Sequence, residues 1–305
     1  MRDFIQTIVD EVGQVLLGKE DKIQLALACL LSDGHLLIED LPGMGKTTLA
    51  QALARVLGLS HQRVQFTSDM LPADIVGVSI YNRDASRFEF HPGPVFTQLL
   101  LADEINRTTP KTQSALLEAM EERQVTLEGE TRPLESPFFV IATQNPLSQM
   151  GTFPLPESQL DRFLMRISLG YPDPEAERQL YLGGDPRHKL ARLKVCIKPE
   201  QLPKIKQAAA QVKTSDSLLD YLQRLVHHTR QAPEFDVGLS PRGALALLRA
   251  AKTWAFMQGR SYVIVEDLQT LAGSVLGHRL VAPASGLEGH ASLMTKLLNA
   301  VDVVA

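Results

Sequence analysis

Up to about Tyr171 the chain alternates short apolar runs with stretches in which apolar residues recur every three or four positions. The first kind reads as buried strand and the second as amphipathic helix, so the alternation predicts a parallel sheet covered by helices. The expected strands are His35–Glu39, Arg63–Phe66, Leu99–Asp103, Phe138–Thr143 and Met165–Leu169. Two stretches break the rhythm. Val78–Tyr81 and Phe88–Phe90 flank Asn82-Arg83-Asp84-Ala85, and Val125–Leu127 runs into Glu128-Gly129-Glu130; both read as hairpins. An amphipathic helix is expected over Met1–Leu17, and the leucines spaced four apart in Leu49–Leu57 turn one helical face toward the sheet.

Past Tyr171 the pattern is helical throughout. Asp173-Pro174 supplies a capping residue followed by proline at the first helical position. Further helices are expected over Ser215–Gln231, Ser240–Gln258, Val265–His278 and Leu287–Val301. The chain therefore divides into an α/β unit over 1–171, with hairpin inserts near 78–90 and 124–134, and a smaller all-helical unit over 172–305. Trp254, at helical spacing from Leu247, Leu248 and Ala251, belongs to the core of the second unit.

Composition narrows the function classes. The 305 residues carry 31 Lys+Arg against 35 Asp+Glu, a net charge of −4, and 44% are hydrophobic. That is enough for a sizeable core, and it leaves no electrostatic footprint for non-specific binding to DNA or a membrane surface. Cys29 and Cys196 suit neither a disulfide framework nor a zinc cluster, and the histidines, His227-His228 included, lack metal-ligand spacing. No signal peptide and no apolar run of bilayer length is visible, so a cytoplasmic protein without a membrane span is expected. The formal glycosylation sequon Asn106-Arg107-Thr108 would then go unmodified.

The chemistry begins at Asp40-Leu41-Pro42-Gly43-Met44-Gly45-Lys46-Thr47-Thr48, between an apolar strand and a helix. Glycines let successive backbone N–H groups point inward, and the helix N-terminus adds positive potential. Lys46 is placed for the β- and γ-phosphates and the Thr47 hydroxyl for Mg²⁺. Asp40 stands where this loop ordinarily has its first glycine, and its carboxylate would repel phosphates unless it pointed away. The strand Leu99–Asp103 brings Asp103 and Glu104 to its C-terminal edge, Asp103 for the Mg²⁺ shell and Glu104 to activate water. Asn145, just past Phe138–Thr143, is suited to orient that water. Arg162 beside Asp161 reads on its own as a surface ion pair. Arg242 lies in the first turn of a helix capped by Ser240, where the dipole disfavours a cation, so it needs an anionic partner elsewhere.

In this order the residues resemble the AAA+ ATPases. Asp103–Arg107, Pro110–Met120, Ala142–Pro146 and Leu160–Phe163 are similar to the MoxR family in particular, and the resemblance runs over essentially the whole chain. It implies a P-loop NTPase using ATP and Mg²⁺, whose sheet has the fifth strand beside the first, followed by the fourth, third and second, with a helical lid after it. It also implies Asn145 as sensor 1, Arg162 as an arginine finger supplied to the neighbouring subunit, and Arg242 as sensor 2. Leu17-Gly18 falls in the segment Val15–Lys19, which resembles the adenine-contacting stretch. Pro42, Gly43, Met44, Gly45, Lys46, Thr47, Thr48 and Asp103 would contact the nucleotide. The hairpins match the helix-2 insert and pre-sensor-1 insertion of that branch. A hexameric homo-oligomeric ring is implied, acting chaperone-like on a protein complex with a partner carrying a von Willebrand factor A domain. Two other readings compete. A nucleic-acid motor or transcriptional activator on this fold lacks a basic stripe, an aromatic ladder and a recognition-helix motif, and a small-molecule kinase leaves the water-activating placement of Glu104 unexplained.

Overall fold

Four apolar segments and one largely polar one join as one parallel sheet. In the computed structural model, which describes residues 2–146, 151–183, 187–281 and 290–303, the strands in chain order are β1 (Leu36–Glu39), β2 (His61–Gln65), β3 (Gly77–Asn82), β4 (Arg87–Pro92), β5 (Leu99–Asp103), β6 (Gln124–Leu127), β7 (Glu130–Pro133), β8 (Phe139–Gln144) and β9 (Met165–Ile167). The sheet order is β2-β5-β8-β1-β9, the arrangement the family resemblance implies. A parallel sheet needs cover on both faces, and alternate residues supply it. Ile38, Leu101 and Ile141 enter one apolar core, whereas Leu37, Leu100 and Val140 enter another.

The first core is covered by α1 (Arg2–Gly13), α2 (Glu20–Leu31) and α3 (Lys46–Val56), the second by α4 (Pro72–Val76) and α5 (Pro110–Glu122). A short α6 (Glu157–Leu160) precedes β9. Then come α7 (Pro174–Gly183), α8 (Arg187–Leu190), α9 (Leu202–Ala210), α10 (Asp216–Gln231), α11 (Pro241–Met257), α12 (Val265–Leu276) and α13 (His290–Ala300). Ser215 and Ser240 cap α10 and α11 by accepting from the N–H groups of Leu218 and Gly243. Among the described residues of the C-terminal helices, Tyr221, Leu247, Ala251 and Leu271 join the cluster lined by α1–α3, with Trp254 packed partly buried against it.

Both hairpins form, as the antiparallel pairs β3–β4 and β6–β7, and they touch where the Arg132 guanidinium lies 4.1 Å from the centroid of the Phe90 ring. Of the boundaries that differ from expectation, four have a local reason. The last strand stops at Ile167 because the Leu169 N–H donates to the Asp40 carboxylate instead of a ladder. His35 stays outside β1 and uses its ring to accept from the Val140 N–H, 3.0 Å away. The N-terminal helix ends at Gly13, where the N–H groups of Val15 and Leu16 fold back onto the Val12 carbonyl. β2 starts two residues early, at His61, hidden from an apolar-run reading by a mostly exposed polar face. The start of the expected helix Leu287–Val301 lies outside the described residues. Both cysteines are free thiols. Among the described residues no helix is long and apolar enough to cross a membrane.

Candidate active site

Because β8 pairs with both β5 and β1, the C-terminal ends of these strands bring Asp40, Asp103, Glu104 and Asn145 to one edge. The loop after β1 is shaped by Gly43 at φ 86° and Gly45 at φ 91°, left-handed values that cost other residues strain. A Cβ on Gly43 would project into open space, while one on Gly45 would meet Leu16 at 2.8 Å. Pro42 is exposed, Met44 leans on the core, and α3 opens at Lys46 with Thr47 and Thr48 in its first turn. Lys46 Nζ donates to the carbonyls of Asp40 (2.6 Å) and Leu41 (2.9 Å). Burial pushes its pKa down, and the carboxylates of Asp40, Asp103 and Glu104 work against that shift. A glycine-shaped loop, a helix N-terminus and a lysine held in place fit a polyphosphate.

The Asp40 carboxylate points to the segment leaving β9. Its Oδ2 accepts from the N–H groups of Leu169 and Gly170, both at 2.7 Å, and from Ser168 Oγ at 3.1 Å, while Oδ1 accepts from the Leu41 N–H at 2.9 Å. Burial works to raise its pKa, but these four donors outweigh burial and hold it below the ordinary carboxylate value. The charge that looked repulsive in the sequence is thus already committed.

Asp103 and Glu104 are held by residues the sequence reading passes over. Asp103 Oδ1 accepts from Thr143 Oγ1 (2.6 Å) and Oδ2 pairs with Arg63 Nη2 (2.7 Å). Glu104 leaves the strand at φ 57°, ψ 49°. Its N–H donates to Thr143 Oγ1, and its Oε2 accepts from Gln65 Nε2 and Arg107 Nη1, all three at 2.9 Å. Arg63 and Gln65 occupy alternate positions of β2, with Gln65 in register with Asp103. That period of two in a polar strand is the signal that could have found them. The Thr47 hydroxyl and Asp103 form the donor set a hard cation such as Mg²⁺ would take, keeping several waters, in competition with Arg63 for one Asp103 oxygen.

Asn145 follows β8 directly and is half-buried, beside Gln144, whose Nε2 donates to Glu39 Oε1 at 3.0 Å. Leu17 is half-buried, and Gly18 abuts the start of α7, where an added Cβ would meet Asp173 Oδ2 at 2.8 Å and Ala176 Cβ at 2.9 Å. Residues 16–18 therefore span from the phosphate loop to α7.

Arg162 and Arg242 are not at this edge. Met165 pairs with Leu36, the first residue of β1, so the residues just before β9 lie at the opposite, N-terminal edge of the sheet. There Arg162 Nη1 donates to the Leu117 carbonyl (2.7 Å) and pairs with Glu121 Oε2 (3.0 Å). Arg242 pairs with Glu121 Oε1 (3.2 Å) and Asp161 Oδ2 (3.6 Å), the anionic partners its helix position called for. Arg162 does not pair with the adjacent Asp161, whose Oδ1 accepts from the buried Arg279 at 2.7 Å. Both arginines border a cavity of about 970 Å³ against α9 and α11, whose wall carries Arg123, Lys206, Arg249, Lys252 and Arg279 as well, against the carboxylates Asp33, Glu121 and Asp161.

A family model described as "ATPase family associated with various cellular activities (AAA)" matches residues 35–165, and an AAA lid domain matches 227–295. The chain is 45% identical to the uncharacterised protein YeaC of Bacillus subtilis over 97% of this chain and 93% of that one. It is 40% identical to the chaperone MoxR1 of Mycobacterium tuberculosis, over 91% of this chain and 75% of the relative. A crystal structure described as that of "a putative ATPase" from Cytophaga hutchinsonii superposes with a TM-score of 0.91 at 38% identity, covering 99% of this chain and 95% of that one.

Proposed function

The chain belongs to the MoxR family of AAA ATPases, and from that premise we propose that it binds ATP with Mg²⁺ at the phosphate-loop edge and hydrolyses it as a ring of identical subunits. Residues 1–171 act as the nucleotide-binding unit and 172–305 as the lid. The N–H groups of the Gly43–Thr48 loop and Lys46 take the phosphates, and residues 16–18 face the base. Thr47 and Asp103 would hold Mg²⁺, which when bound would supply charge neutralisation to the phosphates. Glu104, aimed by Gln65 and Arg107, takes a proton from the attacking water as its oxygen bonds to the γ-phosphorus and ADP leaves. Asn145 orients that water.

The observation that carries the ring is the separation of Arg162 and Arg242 from their own phosphate loop, together with the carboxylate they share. At a subunit interface both guanidiniums can meet the γ-phosphate of the next subunit, spreading its developing charge. MoxR1 is named a chaperone; for this chain we extend that to ATP-driven remodelling or activation of a protein complex in the cytoplasm, with a partner carrying a von Willebrand factor A domain and a hexamer as the working form.

Mixing two inactive variants tests the arrangement. Arg162→Ala retains a phosphate loop and Lys46→Ala retains the finger, so ATPase activity returns in part when they co-assemble. No return despite co-assembly by mass measurement overturns the role of Arg162 across the interface. Activity independent of concentration in a demonstrated monomer overturns the ring.

A further inference from the structure

Asp40 commits one carboxylate oxygen, Oδ2, to the three residues that leave β9, accepting from the Ser168 hydroxyl and from the N–H groups of Leu169 and Gly170. A glycine there would leave the N–H of the buried Leu169 without that acceptor, at a cost folded proteins rarely carry. Only a carboxylate offers one oxygen to Leu41 and the other to three donors at once. The backbone of the same residue serves the loop: its carbonyl accepts from Lys46 Nζ, and its N–H donates to the Gln144 carbonyl next to Asn145.

β9 is three residues long. One end is gripped by Asp40, and Arg162 stands three residues before the other. That far end is fixed in turn, because Arg279 donates to the carbonyls of Asp161, Phe163 and Leu164. Laterally, the strand is laddered to β1 and its Arg166 pairs with Glu39 at 3.2 Å. It therefore runs from one edge to the other with both of its ends held by side chains, and it is the strand whose near end Asp40 grips and whose far end carries Arg162. Phosphates that draw Lys46 off the Asp40 and Leu41 carbonyls act on the residue that holds the near end.

We infer that Asp40 is a positioning residue that couples occupancy of the phosphate loop, through β9, to the placement of Arg162, so that each subunit passes its nucleotide state to the arginine serving its neighbour. This rests on the reading of the two edges given under Proposed function.

The test follows amide exchange by mass spectrometry on the full chain, with and without a non-hydrolysable ATP analogue, alongside calorimetric binding. In the parent, the analogue alters exchange at 168–170 and also at 161–164. In Asp40→Ala the analogue still binds, exchange of the Leu169 and Gly170 amides quickens roughly ten- to hundredfold, as expected on loss of a charged acceptor, and the change at 161–164 disappears. ATPase kcat falls with little change in KM. Asp40→Asn, whose amide oxygen still accepts, regains part of the response; if Asp40→Ala does not fold, this variant carries the comparison by a weakened response at 161–164. A response at 161–164 that persists undiminished in the variants, or is missing from a parent that binds the analogue, overturns the coupling alone. A parent that binds no analogue overturns the site reading, and the coupling with it.

Discussion

At the C-terminal edge of the sheet lie glycine-shaped backbone, one lysine and a pair of carboxylates; at the N-terminal edge, arginines gather around one shared glutamate. The two edges differ in how they are built. The first comes from contiguous stretches, each a strand end plus the residues just after it. The second is drawn from α5, the turn before β9 and the first turn of α11. They also cannot meet within one chain. β1 has four residues, and at about 3.3 Å each the strand sets the edges more than 10 Å apart. In the ring proposed above, each edge would be completed by the edge that another copy presents.

The largest effect that sharpens this contrast is expected from Glu104→Gln. Turnover should fall about 10²–10⁴-fold, the usual worth of a general base, with ATP still bound. Mixing it with Lys46→Ala should restore nothing, because both lesions sit at the same edge; recovery in that mixture would break the division. Arg242→Ala should cost on the order of 10²-fold, like the loss of one preorganised donor. Complementation by Lys46→Ala assigns Arg242 to the neighbouring site, and failure to complement returns it to its own. Glu121→Gln should cost only roughly two- to fivefold in turnover, since half-exposed ion pairs contribute little, with nucleotide affinity untouched. A larger loss accompanied by weaker ATP binding would mean that Glu121 reaches the nucleotide edge.

The smallest effect is one of stability. His35 is fully buried at the arginine edge, its Nδ1 accepting from Val140 and its Nε2 at 3.1 Å from the Met120 carbonyl. Burial lowers its pKa to about 4 from the ordinary 6.5. The unfolded chain takes up the proton first, so this contribution is complete above pH 6.5 and is lost as pH falls toward 4, by up to about tenfold in the unfolding equilibrium per pH unit. Urea midpoints at pH 7 and pH 5 should therefore differ less in His35→Leu than in the parent. An equal difference in both proteins removes His35 from the acid response.

Five strands, both hairpins and the phosphate loop are legible in the sequence because each depends on residues adjacent in the chain. β2 is half-hidden: only Val64 of His61–Gln65 is buried, so no apolar run announces its start. Thr143, Arg63 and Gln65 at the carboxylate pair escape notice for another reason. Their partners are 39 or 40 residues away in the chain, and although a period of two puts Arg63 and Gln65 on one side of β2, it does not say which strand they face. Arg242 is an intermediate case. The helix dipole argues for an anionic partner, but only the packing of α11 beside α5 identifies Glu121.

Leu27 of α2 and Leu247 of α11 belong to one apolar cluster, so melting the C-terminal helices alone would expose the apolar face of α1–α3. A fragment ending at residue 171 would uncover the face that α11 and α12 now cover, and uncovered apolar surface of that kind drives aggregation. Calorimetry of the whole subunit should record one cooperative transition. Loss of the last helices should therefore carry the first ones with it, and the two ends of the chain stand or fall together.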